Sequence, residues 1–134
     1  MLKKKKRDNS QIYLDIINQW LILKQKDVRI EQYIAKRGWK RVAIYGMGIY
    51  ARHLIREWKF SDTIEIVCGI DVSKKNAYMG IKTVFLDQVP DDVDVIINTI
   101  VYDEDVSKKI KAKASCDVLS LEDLIFESYG ETRK

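Results

Sequence analysis

The feature that most constrains this chain is a glycine-containing turn between an apolar run and a helical pattern. The apolar run is Val42 to Tyr45, and the turn after it reads Gly46-x-Gly48-x-x-Ala51. The first glycine permits a sharp turn off a strand, the second lets backbone amides approach a ligand, and the alanine lets the new helix pack tightly on the sheet. This order of strand, turn and helix N-terminus predicts a diphosphate-binding site.

An acidic residue after the next apolar run supports this prediction. The run Ile64 to Ile70 is rich in β-branched residues and predicts a buried strand, which Asp71 follows directly. Asp71 lies twenty residues after Ala51, near the spacing at which an acid binds a ribose diol. It could instead begin an Asx turn, which is a structural role. A carboxylate here disfavours NADP because it would repel the 2′-phosphate, although Lys74 and Lys75 could compensate.

The rest of the pattern predicts alternating strands and helices. Further strands are expected at Ile81 to Val84, Val93 to Ile100 and Asp117 to Leu119, and further helices at Ile49 to Lys59, residues 103–113 and Ser120 to Tyr129, with Gly130 as the last stop. Strands that alternate with helices favour a parallel sheet with right-handed crossovers. We therefore predict an α/β fold: a small doubly wound parallel sheet of strand order 3-2-1-4-5, with extra N-terminal helices.

The length of 134 residues suits one compact α/β unit rather than two. We expect a basic, disordered tail at residues 1–9, helices in residues 10–39 and a nucleotide-binding unit in residues 40–130. The two front helices are expected to begin at a cap of Asn9 or Ser10 and to continue at Val28 to Arg37, before Gly38.

The front helices carry more large apolar side chains than one packed stripe requires. Two interpretations stay open: these side chains pack on the sheet of the same domain, or some of them meet a second copy or a partner protein.

The net charge of +4 comes from one short segment. Lys3 to Arg7 supply five positive charges, so the rest of the chain sums to about −1. We interpret this segment as a solvated tail, and no nucleic-acid-binding motif accompanies it. No apolar run approaches the roughly 20 residues of a membrane span, and no signal-peptide core follows the basic start. We therefore expect a cytoplasmic protein without a membrane span.

Residues for catalysis are not evident in the sequence. A Tyr-x-x-x-Lys pair, Tyr78 and Lys82, falls in a loop with Gly80 and lacks the helical pattern that the short-chain dehydrogenase mechanism needs. The single histidine, His53, lies on a predicted helix face with no nucleophile motif near it. No cluster of His, Cys, Asp or Glu has metal-ligand spacing. We predict neither catalytic nor metal-binding residues.

Four segments together resemble a Rossmann-like domain found in bacterial surface-polysaccharide biosynthesis. They are Lys40 to Ala51, Val67 to Asp71, Val93 to Ile97 and Leu119 to Leu124. Similar domains occur in CapD-type nucleotide-sugar dehydratases and epimerases, in sugar acyltransferases and as appendages of glycosyltransferases. The resemblance spans about residues 28–126 and specifies the fold better than the substrate.

The resemblance implies that NAD or a nucleotide-sugar binds at the glycine turn. Related domains often have glycine where this chain has Ala51, which still permits close packing. Backbone groups near Met47 and Ile49 would contact the phosphates, and the segment Thr99 to Tyr102 would flank the nucleotide. The expected binding residues are Gly46, Met47, Gly48, Ile49, Tyr50, Ala51, Asp71 and Thr99.

Three hypotheses for function follow. The first is a nucleotide-binding module of sugar-nucleotide metabolism without its own catalytic apparatus. The second is the cofactor-binding half of a nucleotide-sugar dehydratase or epimerase. The third is a non-catalytic interaction domain that docks through residues 10–39, as a homodimer or with a partner protein.

Overall fold

The fold is a five-stranded, all-parallel sheet with helices on both faces. The computed structural model describes residues 8–72 and 77–131. The strand order is 3-2-1-4-5, as predicted. The strands are β1 Arg41–Tyr45, β2 Glu65–Ile70, β3 Thr83–Val84, β4 Val95–Asn98 and β5 Asp117–Ser120; the helices are α1 Asn9–Gln25, α2 Ile30–Lys36, α3 Ile49–Trp58, α4 Glu104–Lys113 and α5 Leu121–Glu131, with a short 3₁₀ turn at Leu86–Gln88.

Every helix end that was predicted lies within two residues of the observed one, and two of the differences have a clear cause. The N-cap of α1 is Asp8, one residue before the predicted cap, because its carboxylate accepts a hydrogen bond from the backbone N–H of Gln11 at 2.8 Å. Helix α5 continues past Gly130 to Glu131, so the predicted stop at Gly130 is wrong. Glycine disfavours a helix by only about 1 kcal/mol, which the packing of α5 offsets.

Three strands are shorter than predicted. Strand β2 begins one residue later than predicted, and β3 and β4 lose more residues because the chain turns locally. Ile81 forms an antiparallel bridge with Tyr78 instead of joining β3, and the tight turn between them places Gly80 at φ +81°. After β4, the side chain of Asn98 accepts a hydrogen bond from the N–H of Ile100 at 2.9 Å, which turns the chain away from the sheet.

The two faces of the sheet are covered unequally. Helices α1, α2, α3 and α5 share one core with β1 and β4, whereas α4 and the 3₁₀ turn cover the opposite face. This division follows from right-handed crossovers, which place α3 and α4 on opposite faces because the chain runs in opposite directions from β1 and from β4. Between β1 and β4 the strand order reverses, which defines the topological switch point of the sheet.

Helix α1 is packed against the sheet domain along one of its faces. Ile16, Trp20 and Leu23 are buried in the larger core. The indole N–H of Trp20 donates to Glu57 of α3 at 2.7 Å. A second apolar stripe of α1 faces solvent, with Leu14 61% and Leu21 54% exposed. Packing on the sheet of the same domain therefore describes one face of α1, and a partner on the exposed stripe stays a prediction.

Two of the charged segments considered in the sequence lie outside the described residues. The basic segment Lys3 to Arg7 and the pair Lys74 and Lys75 are outside the described ranges. Within residues 8–72 and 77–131, every helix is too short or too polar to cross a bilayer.

We predict that α1 contributes to stability as a core element does. Ile16→Ala removes a side chain with no solvent exposure and should lower the free energy of unfolding by about 2–5 kcal/mol. Ile49→Ala is the matched control, because Ile49 is 73% exposed, and it should change that free energy by less than about 0.5 kcal/mol. Urea unfolding followed by tryptophan fluorescence measures both. Equal unfolding midpoints for the two variants would contradict the packing of α1.

Candidate functional site

The glycine turn, residues 46–51, begins where β1 ends and leads directly into α3. Gly46 has φ +85°, which L side chains rarely adopt. A Cβ at this position would lie 2.8 Å from both Thr99 Oγ1 and Ile100 Cδ1. The Thr99 hydroxyl lies 2.8 Å from the carbonyl oxygen of Tyr45, to which it donates. The fold therefore requires glycine at position 46, where the turn and the loop after β4 are in contact.

Gly48 is different, because nothing in the fold requires glycine there. It is the N-cap of α3 with φ −88° and ψ −156°, an extended conformation open to any residue. A Cβ at this position would meet no atom within 4 Å. In α3, which the structure describes in full, no side chain caps the N-terminus and the first turn holds no acidic residue. Its first N–H groups have no partner inside the helix and carry the positive end of the helix dipole.

Asp71 holds the glycine turn against the end of β2. Its carboxylate accepts hydrogen bonds from the backbone N–H of Met47 at 3.0 Å and of Val72 at 2.7 Å. A carboxylate can accept about four hydrogen bonds, so this role is compatible with the predicted bond to a ribose diol. The bond to Met47 is a structural contact between two segments. The Asx turn considered as the alternative would involve residue 73, which lies outside the described residues.

Three of the predicted binding residues with side chains are buried: Met47, Ala51 and Thr99. Ala51 is fully buried on the inner face of α3. The side chain of Met47 lies over Gly69, where a Cβ would come within 2.4 Å of the methionine sulfur. The side chains of Met47 and Ala51 therefore pack the turn on the sheet, and only their backbone groups are candidates for ligand contact.

A cleft of about 350 Å³ opens at the switch point beside the turn. We call it the tyrosine cleft. It is lined by Tyr13, Ile17, Gly48, Ile49, Tyr50, Thr99, Ile100 and Tyr102. The volume lies at the lower end of the range of small-molecule sites, which is roughly 300–1,000 Å³.

The structure brings together only part of the predicted set. Gly48, Ile49, Tyr50 and Thr99 line the tyrosine cleft. The remaining predicted residues, Gly46, Met47, Ala51 and Asp71, do not line it but shape the turn.

Two cleft residues come from α1 and were not predicted from sequence. Tyr13 and Ile17 belong to a helix outside the strand-turn-helix unit. The helical spacing of the apolar residues in α1 gives no indication that either residue faces the glycine turn. Their place in the cleft depends on how α1 crosses the sheet domain.

Tyrosine rings meet at the cleft. The ring centroid of Tyr13 lies 5.1 Å from that of Tyr50 and 5.9 Å from that of Tyr102, within the range of favourable aromatic pairs. Burial raises the pKa of Tyr50 to about 12 and also raises the pKa of Tyr13. These two hydroxyls are therefore neutral at physiological pH and add no negative charge next to the turn.

The other groups considered for chemistry lie elsewhere. His53 packs edge-on against Trp20, with ring centroids 5.9 Å apart. Tyr78, the tyrosine of the Tyr-x-x-x-Lys pattern, lies outside any helix, as predicted. Its hydroxyl accepts a hydrogen bond from Arg56 Nε at 3.0 Å. Over residues 8–72 and 77–131, no three His, Cys, Asp or Glu side chains are grouped so as to hold a metal ion.

Comparisons with known proteins provide no assignment. No family model matches the chain, and no curated protein or solved structure matches it significantly. The geometry of the turn and the cleft therefore carries the functional argument.

We predict that Gly46→Ala destabilises the fold. The substitution places a Cβ against the Thr99 and Ile100 side chains at a positive φ, which should cost about 2–4 kcal/mol of unfolding free energy. Gly130→Ala is the matched control, because a Cβ there meets no atom within 4 Å; it should be neutral or stabilising by up to about 1 kcal/mol. Urea unfolding of both variants tests this, and a wild-type midpoint for Gly46→Ala would refute the tight contact.

Proposed function

We propose that this chain binds a nucleotide, either NAD or a nucleotide-sugar, through its diphosphate at the N-terminus of α3. The observation that carries the proposal is Gly48. The backbone at this position suits any residue and the space beyond it is open, so glycine serves no purpose in the fold itself. A ligand that must approach the backbone closely would explain the glycine, because any side chain at this position would stand in its way.

The electrostatics of the turn support an anionic ligand. Serine, aspartate or asparagine at the N-cap would satisfy a first-turn amide from within the chain. Gly48 offers no such acceptor and leaves those amides to an external anion. The turn also lies at the switch point of the sheet, where ligands of open α/β folds bind outside the carboxyl ends of the strands.

The composition of the cleft supports binding without catalysis. Among the described residues, those that line the tyrosine cleft include no histidine, cysteine, lysine, aspartate or glutamate. These side chains, together with tyrosine, supply most acid–base and covalent catalysis. The tyrosines of the cleft have no lysine beside them among its lining residues, and burial raises the pKa of Tyr13 and Tyr50 rather than lowering it. We therefore favour a binding module over the cofactor half of a dehydratase or epimerase. The resemblance to domains of surface-polysaccharide biosynthesis supports a role in bacterial sugar-nucleotide metabolism.

The proposal predicts that Gly48→Val weakens binding while it preserves the fold. Calorimetric titration of the wild-type chain with NAD, NADP, UDP-glucose and coenzyme A should detect binding of NAD or UDP-glucose. Gly48→Val should weaken that binding at least about tenfold, because a branched side chain blocks approach to the α3 amides, while the unfolding free energy changes by less than about 1 kcal/mol.

Gly130→Val provides the control, since a Cβ there also extends into open space but lies far along the chain in α5. It should retain wild-type affinity. The proposal is refuted if the wild-type chain binds none of the four ligands, or if Gly48→Val binds them with unchanged affinity.

A second candidate function is docking through α1, and the exposed stripe of that helix favours it. Leu14, Ile17 and Leu21 follow one another at helical spacing on its outer side, each at least 40% exposed. Large apolar side chains in a contiguous stripe mark protein interaction surfaces. We propose a second copy of the chain as the partner, since Asn18 and Gln25 beside the stripe are uncharged and the charge of Lys24 is paired with Glu57 of the same chain.

This second proposal predicts dimers in solution. Light scattering at roughly 100 μM protein, far above a dissociation constant of 1 μM, should give a dimer mass for the wild-type chain and a monomer mass for Leu21→Glu. Phe60→Glu is the control, because Phe60 is 87% exposed but lies outside α1, and it should remain dimeric. A monomeric wild-type chain would exclude the α1 interface.

A further inference from the structure

The tyrosine cleft is built partly by an element that the nucleotide-binding unit does not need. Helix α1 supplies Tyr13 and Ile17 to one wall, the loop after β4 supplies Ile100 and Tyr102, and the first turn of α3 forms the boundary next to the phosphate-binding amides. A group bound in the cleft would therefore be directly continuous with a phosphate at the N-terminus of α3.

The lining of the cleft selects the chemistry of that group. No charged side chain is present among the described residues that line it. The Thr99 hydroxyl is directed to the carbonyl oxygens of Tyr45 and Gly46, at 2.8 and 3.0 Å. Beyond the tyrosine hydroxyls, the cleft offers few partners to a sugar ring with several hydroxyls, which would lose its water at a cost. A flat, uncharged aromatic ring loses little and gains stacking.

The tyrosines provide the stacking surfaces. Tyr13 is within 5.9 Å of both Tyr50 and Tyr102, measured between ring centroids, so three aromatic rings border one small space. Nucleotide bases stack on aromatic side chains with little dependence on which base it is, because every base has a π face. The cleft volume of about 350 Å³ suits one ring system rather than both halves of a dinucleotide.

Asp71 lies on the other side of the glycine turn. Its carboxylate bonds to the N–H groups of Met47 and Val72 near the end of β2, and it does not line the tyrosine cleft. A base in the cleft would thus lie towards β4, whereas a ribose held by Asp71 would lie towards β2. The two orientations of a nucleotide can be distinguished by mutation.

We propose that the tyrosine cleft binds the base of a mononucleotide, stacked on Tyr13, with its phosphate on the backbone amides of the first turn of α3. This inference rests on the proposed nucleotide binding and makes it specific: the ligand is a nucleoside mono- or diphosphate, free or as part of a nucleotide-sugar, and its base lies on the β4 side. Asp71 then serves to hold the turn.

The test compares ligands that share a phosphate and differ in the ring. UMP, AMP, UDP and ribose 5-phosphate are titrated calorimetrically into the wild-type chain, Tyr13→Leu and Tyr129→Leu. Tyr13→Leu keeps an apolar side chain but removes the ring. Tyr129→Leu is the control, because Tyr129 is a half-buried tyrosine of α5 that does not line the cleft.

Loss of one base–aromatic stack should weaken nucleotide binding by roughly 5- to 150-fold. We expect this loss for UMP, AMP and UDP in Tyr13→Leu, wild-type affinity in Tyr129→Leu, and no effect of Tyr13→Leu on ribose 5-phosphate. In the wild-type chain, base protons should give intermolecular nuclear Overhauser effects to the rings of Tyr13 and Tyr102, a readout that does not depend on a variant folding.

The failure of this inference is distinct from failure of the proposed function. Nucleotides that lose affinity in Gly48→Val but keep it in Tyr13→Leu would leave phosphate binding at the turn intact and overturn the base site. The same conclusion follows if Asp71→Asn, and not Tyr13→Leu, weakens the nucleotides. A wild-type chain that binds none of the phosphates would overturn both.

Discussion

The arrangement of the site depends on the contact between the glycine turn and the loop after β4. Gly46 turns the chain at a positive φ, and its missing side chain leaves room for Thr99 and Ile100. The hydroxyl and the backbone N–H of Thr99 both donate hydrogen bonds to the carbonyl oxygen of Tyr45. These bonds join the ends of two neighbouring parallel strands at the switch point. They fix the direction in which α3 begins, and therefore where its free amides lie.

The fold followed from the sequence because each of its determinants is local or periodic. The glycine turn, the apolar run before Asp71 and the acidic start and basic end of α4 each identify an element without reference to the rest of the chain. Right-handed crossovers then leave few arrangements for five parallel strands. Ends of elements were predicted less well, since they depend on single side chains: the carboxylate of Asp8 begins α1, and the side chain of Asn98 turns the chain after β4.

The candidate site was only half predictable, for a physical reason. The backbone part, Gly46 to Ala51, is encoded by steric requirements that show directly in the sequence. The wall formed by Tyr13 is set by the packing of α1 across the sheet domain, through contacts such as the bond from Trp20 to Glu57, 37 residues apart in the chain. Likewise, the spacing of Asp71 suggested a ligand contact, whereas the bond of its carboxylate to the N–H of Met47 shows a structural role that spacing cannot reveal.

The position of Tyr13 links ligand binding to the packing of the N-terminal helix. Any ligand that contacts Tyr13 as well as the turn joins α1 to the strand-turn-helix unit. It therefore binds the docked state of α1 better than an undocked one and stabilises docking by the difference in affinity. The exposed stripe of Leu14, Ile17 and Leu21 adjoins the cleft, because Ile17 belongs to both. A partner on that stripe and a ligand in the cleft would contact the same helix, so their binding would be coupled through α1.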